Sequence, residues 1–343
     1  MSRLFLSLFS GLLVVSAILV GGYWRDAYVV QPAHDAEEIA FVVEHGESVK
    51  AVAAKLKEQG LIGSQFAFET FVRLSDKARQ VQAGTFALKP GTNFQDLVGA
   101  LSNAASVEVQ VTIPEGYTAA QIGAAVRQVL PHITEEEWNQ AVGPNSPLMA
   151  AQSNDSPLVQ TLSRRGLEGF LFPDTYRFHE TATAGQVVAR LYNTFHQRLE
   201  QAGIRAGEDG TVVHGLDPYQ FVTLASIVER EVRGAEDMRH VAGIFLKRLD
   251  IGMALQADST VNYVTGGTSP SITFAETELD TPYNTYKYKG LTPGPISNPG
   301  LDALKAVADP TDNPWYFFLT TPTGEVKYGR TFDEHIANRR FMR

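Results

Sequence analysis

Between Phe221 and Val232 the chain reads Phe-Val-Thr-Leu-Ala-Ser-Ile-Val-Glu-Arg-Glu-Val. At about 100° per residue, Phe221, Leu224, Ala225, Val228 and Val232 share one helix face, with Val222 and Ile227 at its two edges. A stripe of that width has to be buried against other elements. Two carboxyls are set into it. Glu229 projects between Ala225 and Val222, inside the apolar arc, and Glu231 falls between Leu224 and Ile227, near the opposite edge. A carboxyl beside apolar side chains is costly to ionise, so its pKa rises. That is the requirement for a general acid working near neutral pH. Helix-border glutamates that reach water or sit in ion pairs share this pattern, so it leaves both readings open.

A second constraint lies at the N-terminus. From Leu4 to Tyr23 the sequence carries no charge and is mostly apolar, long enough to cross a bilayer as a helix. Arg3 precedes it, Tyr23 and Trp24 stand where an interfacial belt would be, and residues 26–47 are acidic on balance. This predicts a single-pass anchor in residues 1–25, with the N-terminus in the cytoplasm and the body outside the cytoplasmic membrane. A cleaved leader is the other reading, but the apolar stretch is long for one and no clear small-x-small site precedes Tyr23. The absence of cysteine suits an oxidising compartment and excludes disulfides, thiolate metal sites and a cysteine nucleophile. With a net charge of −9 and no Lys/Arg run, nucleic acid is not an expected partner.

Residues 26–40 read as a polar linker, and residues 41–105 as a small unit. Phe41–Glu44 predicts a strand and Ser48 an N-cap; Val49, Val52, Ala53 and Leu56 follow at helical spacing up to Gly60. A helix over 65–74, a strand over 82–88 and an amphipathic helix through Phe94, Leu97, Val98 and Leu101 complete it. The strand–helix–helix–strand order resembles a LysM-like module. Residues 106–343 form the larger unit. A strand at 107–113 opens it, helices are expected at 118–129, 134–142, 185–202, 218–232 and 236–249, and a hairpin turns at Pro322-Thr-Gly324. A short helix over 333–341 ends the chain. Helices and strands mix without βαβ alternation, so the fold class is α+β.

The eight histidines show no His-Glu-x-x-His motif and no pair at ligand spacing, so no metal or cofactor is expected and a chelator should leave activity intact. No Gly-x-Ser-x-Gly, Walker loop or Ser-x-x-Lys occurs. Carboxylate chemistry remains, and it needs a polar cleft. Three segments have the composition for one: Leu167–Tyr176 with Glu168 and Asp174 among aromatics, Gln256–Tyr263 with Asp258 and Asn262, and the Pro/Gly-rich Pro282–Gly300 with Tyr286 and Asn298. Tyrosines, amides and acids suit hydroxyl-rich sugars; ordered loops with tyrosine packing anchors have the same composition.

Taken together, these segments resemble the endolytic lytic transglycosylases of the YceG-like group, membrane-anchored peptidoglycan terminases. The residues carrying the resemblance are Ile113-Pro-Glu-Gly-Tyr117, Leu167–Tyr176, Leu224–Glu231, Val241–Leu249, Gly252–Asp258, Pro282–Tyr286 and Gly290–Gly300. Departures are Ala257, Ser259 and Thr292, none of them at a proposed catalytic group. The resemblance implies a lyase that cuts the β-1,4 bond between N-acetylmuramic acid and N-acetylglucosamine, the muramyl C6 hydroxyl attacking C1 to leave a 1,6-anhydro end. It assigns the catalytic carboxyl to Glu229, giving a proton to the leaving oxygen and then taking one from the C6 hydroxyl. No second carboxylate has to hold a water, unlike ordinary glycosidases. Glu168, Asp258, Asn284 and Tyr286 are expected in the cleft, with Gln256, Tyr263 and Asn298 as further substrate-binding candidates. Glycan-polymerising penicillin-binding proteins are the partners it implies. A water-using muramidase and a non-catalytic wall-binding scaffold are the competing expectations.

Overall fold

The computed structural model describes residues 20–342 except 31, 33–36, 45, 76, 78–80, 103–107, 153–155, 205–212 and 268–271. Most of the uncharged Leu4–Tyr23 run lies outside them. Among the described residues no helix is long and apolar enough to cross a membrane. The chain divides into two compact units, one running to Glu108 and adding His179–Thr181, the other comprising Val109–Phe178 and Ala182 onward.

In the first unit, residues 20–28 form helix α1. Then come β1 (Ile39–Val43), α2 (Val49–Glu58), α3 (Gln65–Leu74), β2 (Gly84–Leu88) and α4 (Phe94–Ser102). Ser48 caps α2 by accepting from the Ala51 N–H, and Ser64 caps α3 through Ala67. β1 and β2 pair antiparallel with Phe41 opposite Phe86. Alternate residues Phe41, Val43, Phe86 and Leu88 turn inward onto Val52, Leu56, Phe68, Phe71 and Leu97. Within the stretch read as a polar linker, α1 continues to residue 28. Ala27 is fully buried, the Tyr28 ring lies 5.7 Å from that of Phe71, and β1 already begins at Ile39.

The second unit contains β3 (Glu108–Thr112), α5 (Ala119–Val129), α6 (Glu135–Val142), α7 (Pro147–Ala150), α8 (Pro157–Arg165), β4 (Thr175–His179) and α9 (Ala184–Gln201). It continues through α10 (Pro218–Glu231), α11 (Ala235–Asp250), α12 (Asp258–Thr265), α13 (Phe274–Thr277), α14 (Leu301–Ala308), β5 (Phe317–Thr320), β6 (Val326–Gly329) and α15 (Phe332–Asn338). The predicted helices are present within a residue or two of their expected ends, except the last, where the α-helix stops at Asn338 and a 3-10 turn over Arg339–Met342 follows, and the class is α+β. The sheets are two-stranded: β3 with β4, and β5 with β6 as the antiparallel hairpin. Thr118, Thr134 and Thr183 each open a helix with a reciprocal capping box, as does Asp217 ahead of Pro218.

Helix α10 is buried on every side from Phe221 to Val228, including Thr223 and Ser226. The sequence pattern predicts a one-sided stripe. The structure surrounds the helix with α8, α11, α12 and α14. The two small hydroxyl residues can face protein because each donates to a backbone carbonyl one turn back, Thr223 to Tyr219 and Ser226 to Thr223. The helix emerges from this packing at its first turn, where Gln220 is exposed, and at its last, with Glu229, Arg230 and Glu231.

Candidate active site

Glu229 sits half-buried at that last turn. Its Oε2 accepts a 2.9 Å hydrogen bond from the Gly300 N–H. Gly300 is the N-cap of α14 and has no side chain to cap it, so the carboxyl from α10 meets the start of α14 directly. Burial pushes the Glu229 pKa up to about 7. The Gly300 N–H opposes that rise, Glu115 and Asp302 add to it by like charge, and Arg230 opposes it weakly.

The segment carrying Gly300 is fixed to the helix. The Ile296 N–H donates to Ser226 Oγ at 3.0 Å, and Ser297 Oγ donates to the Ser226 carbonyl at 3.1 Å. One residue of the helix therefore sets the register of the strap one turn before Glu229. On the strap's other side, Gly169 holds φ +89°, and a Cβ there would lie 2.6 Å from the Pro295 ring and 3.0 Å from Val222.

Asn298, in the same strap, is fully buried. Its Nδ2 donates to the Tyr117 carbonyl and to Glu168 Oε1, both at 2.9 Å, while its Oδ1 accepts from the Leu171 N–H at 2.8 Å. Its amide is spent on protein partners. Asn298 therefore positions the strap and Glu168, and offers no free group to a ligand. Replacing it by Ala leaves the buried Leu171 N–H without its acceptor and takes a donor from Glu168 Oε1, while the Tyr117 carbonyl keeps the backbone N–H of residue 298 at 2.8 Å. Asn298→Ala is expected to lower unfolding stability by about 2–4 kcal/mol, read as a fall in denaturant midpoint; a change within about 0.5 kcal/mol would show that the network is dispensable.

Glu168 also accepts from the Ala119 N–H at 2.9 and 3.2 Å and from the Tyr263 hydroxyl at 3.5 Å. Burial pushes its pKa up to about 7 against those hydrogen bonds. Tyr263 is half-buried, with its ring 5.1 Å from that of Tyr283. Tyr219 stacks on Phe170 at 5.9 Å under the Arg165 guanidinium. Phe170, Phe172 and Tyr176 are core residues, and Asp174 pairs with Arg198 at 2.6 Å. Their place in the Leu167–Tyr176 segment reflects packing.

Glu231 points to a different neighbourhood. Ser259 donates to its Oε1 through the hydroxyl at 2.6 Å and the backbone N–H at 3.3 Å. Burial pushes its pKa up to about 7 as well, against the Ser259 hydroxyl, with Asp258 adding to the rise. Asp258 accepts from the Tyr286 hydroxyl at 2.5 Å, and burial raises its pKa above the usual aspartate value. Asn284 is fully buried, donating to the Thr277 and Leu279 carbonyls and accepting from the Tyr286 N–H. It shapes the loop that presents Tyr286. Gln256 is exposed, at φ +52°, and its N–H donates to the Thr285 carbonyl. Among the described residues no group of three or more His, Asp or Glu side chains could hold a metal ion. A cavity of about 460 Å³ lined by His132, Glu137, Ser146 and Pro147, among others, includes none of these acids.

The carboxyl at the end of a core helix, the strap that caps it and the acid–amide network behind it fall within a single family match. A model of the YceG-like family covers residues 41–340. The chain belongs to the YceG-like family. Similar curated proteins include an endolytic murein transglycosylase of Bacillus subtilis, 31% identical over 303 residues, spanning 85% of this chain and 81% of the relative. An endolytic murein transglycosylase of Streptococcus pneumoniae is 27% identical over 356 residues, which cover 96% of this chain but 64% of the pneumococcal one. A crystal structure of a yceG-like protein from Listeria monocytogenes aligns with TM-score 0.54 at 26% identity, covering 89% of this chain and all of that one.

Within this YceG-like chain the structure joins Glu229, Asn298 and Glu168 through one strap, with Tyr263 beside Glu168, and pairs Asp258 with Tyr286 around Glu231. Gln256 stands apart. Sequence reasoning missed Glu115 and Asp302 as neighbours of Glu229. The signal for Glu115 was its place in Ile113-Pro-Glu-Gly-Tyr117, where the glycine at φ +74° turns the chain beside Glu229.

Proposed function

We propose that this chain is an endolytic murein lytic transglycosylase that cleaves the β-1,4 bond between N-acetylmuramic acid and N-acetylglucosamine with Glu229 as its proton shuttle. The observation that carries this reading is the half-buried Glu229 carboxyl, engaged by the Gly300 backbone N–H and pushed up to about 7. A carboxyl with that pKa is largely protonated just below neutral pH and can give its proton to the departing glycosidic oxygen. The carboxylate left behind takes the proton of the muramyl C6 hydroxyl as that oxygen bonds to C1. Atoms balance without water: one bond to C1 breaks, another forms, and the 1,6-anhydro end results.

Glu231 and Glu168 share the raised pKa but are engaged elsewhere, Glu231 by Ser259 and Glu168 by Ala119, Asn298 and Tyr263. Asp258, Tyr286 and Tyr263 are proposed to line the glycan path, with Gln256 on its exposed margin. The β1–α2–α3–β2 unit is proposed as a LysM-like wall-binding module. The uncharged Leu4–Tyr23 run is proposed as a single-pass anchor that holds the body outside the cytoplasmic membrane. There it would meet nascent strands, end their elongation and work beside penicillin-binding proteins.

Product analysis on purified glycan strands tests the reaction. Muropeptides ending in 1,6-anhydro-N-acetylmuramic acid, lighter by one water than hydrolytic products, are expected; hydrolytic ends would instead make the protein a muramidase. The pH profile gives a second check. Because the acid must hold its proton, the rate should be level on the acid side and fall about tenfold per pH unit above about 7. A rate that keeps rising to pH 9 would assign Glu229 a different role.

A further inference from the structure

Glu229 shares its surroundings with a second carboxylate that the proton-shuttle scheme leaves unused. Glu115 follows β3, and its carboxyl presses on the Cα of Gly300: a Cβ built there would lie 2.0 Å from Glu115 Oε1 and 2.3 Å from its Cδ. Gly300 has an ordinary φ of −75°, which any residue adopts. The absence of a side chain at Gly300 is thus not a matter of backbone conformation; it lets the Glu115 carboxyl lie against this glycine. The N–H of this same glycine is the hydrogen-bond donor to Glu229.

The turn that carries Glu115 is held from two directions. The Gly116 N–H donates to the Asn298 carbonyl at 2.9 Å, and the Gly116 carbonyl accepts from Arg230 Nη1 at 3.2 Å. A Cβ on Gly116 would lie 3.6 Å from Glu229 Cγ. Strap, helix end and turn thus bring the two carboxyls to one glycine. The charged groups facing Glu229 are Glu115 from this turn, Asp302 from the first turn of α14 and Arg230 from its own helix. Arg230 is tied to Gly116 and is exposed, so it does not screen the pair completely.

We propose that Glu115 is a positioning residue of the active site, its negative charge holding the proton on Glu229. The proposal rests on Glu229 being the shuttle. Two like charges on one glycine cannot both form cheaply, so an ionised Glu115 makes loss of the Glu229 proton less favourable. The raised Glu229 pKa, with Glu115 among its causes, agrees. Glu115 is itself solvent-exposed, which gives the interaction a signature: added salt weakens it, whereas a purely structural contact would not respond in that way.

The test is the pH profile of glycan-strand cleavage for wild type, Glu115→Gln and Glu115→Asp, in the full chain at low and at high salt. Glu115→Gln is expected to move the alkaline limb to lower pH by roughly half a unit at low salt, about a threefold lower rate at pH 8 relative to the acid plateau. That shift should shrink at about 0.5 M salt, and Glu115→Asp should restore most of the limb. Coincident profiles, or a loss equal at every pH, would overturn the role. Site-resolved carboxyl titration by isotope-edited infrared, assigned by difference with Glu229→Gln, reads the Glu229 pKa without any turnover. A lower value in Glu115→Gln supports the coupling even if the wild type makes no anhydro product, and an unchanged value overturns it.

Discussion

Glu229→Gln is expected to lower the rate of anhydro-end formation by about 10²–10⁴-fold while leaving the protein folded. Gln preserves the shape and can still accept the Gly300 N–H through its carbonyl oxygen. It removes the exchangeable carboxyl proton and the charge left when that proton departs. Stability provides the control, and its sign follows from the raised pKa. A carboxyl whose folded pKa is about 7, against 4.5 ordinarily, contributes stability fully present below about 4.5 that is lost as pH rises through about 7. Above that range the wild type carries a desolvated charge that the variant lacks. Thermal midpoints should therefore show Glu229→Gln gaining on the wild type between pH 5 and pH 8. Glu231→Gln keeps an oxygen for Ser259 but exchanges the other carboxyl oxygen for an amide NH2 in a packed setting and should act mainly on stability. If Glu231→Gln is the inactive protein and Glu229→Gln is not, the proton shuttle has been placed on the wrong carboxyl.

Gly169→Ala should be the most damaging single-methyl change near the site. Two costs coincide. The backbone holds φ +89°, where an L side chain is strained, and the new Cβ would meet Pro295 Cβ and Cγ at 2.6 Å and Val222 at 3.0 Å. Neither neighbour is the loose end of a flexible chain: Val222 is fully buried on α10, and Pro295 is part of the strap fixed at Ser226. A loss of about 2–4 kcal/mol is expected, visible as a lower denaturant midpoint. Activity should fall further than the folded fraction does, because moving Pro295 carries Gly300 away from Glu229. Stability within about 0.5 kcal/mol of wild type would show that the strap yields freely.

Much of this arrangement could be read from the chain, and the parts that could not share a cause. Caps and periodicity fix where helices begin: Ser48, Thr118, Thr134, Thr183 and Asp217 open their helices through side-chain chemistry with the neighbour three residues on. β4 also carries its signal in the alternation of buried Tyr176 and Phe178 with exposed Thr175 and Arg177, though the aromatics just before it blur where it starts. The asymmetry of the glutamates was legible as well, since two residues on a helix two positions apart face different ways. What the sequence hides is the spending of polar groups over long separations. Asn284 and Asn298 look like ligand-binding amides until their partners, some over a hundred residues away for Asn298, are in place. Glu115 likewise becomes a neighbour of Glu229 only once Gly300 closes the gap.

The joint at Ser226 has a mechanical consequence. A load on the exposed part of this segment, at residues such as Tyr288 and Lys289, would pass straight to Gly300 if the loop were free. Here the load reaches two hydrogen bonds on the buried middle of α10 first, at Ile296 and Ser297. The carboxyl and the N–H that greets it thus ride on the same beam. Under strain they travel together, and the distance between them is insulated from motion of the outer loop.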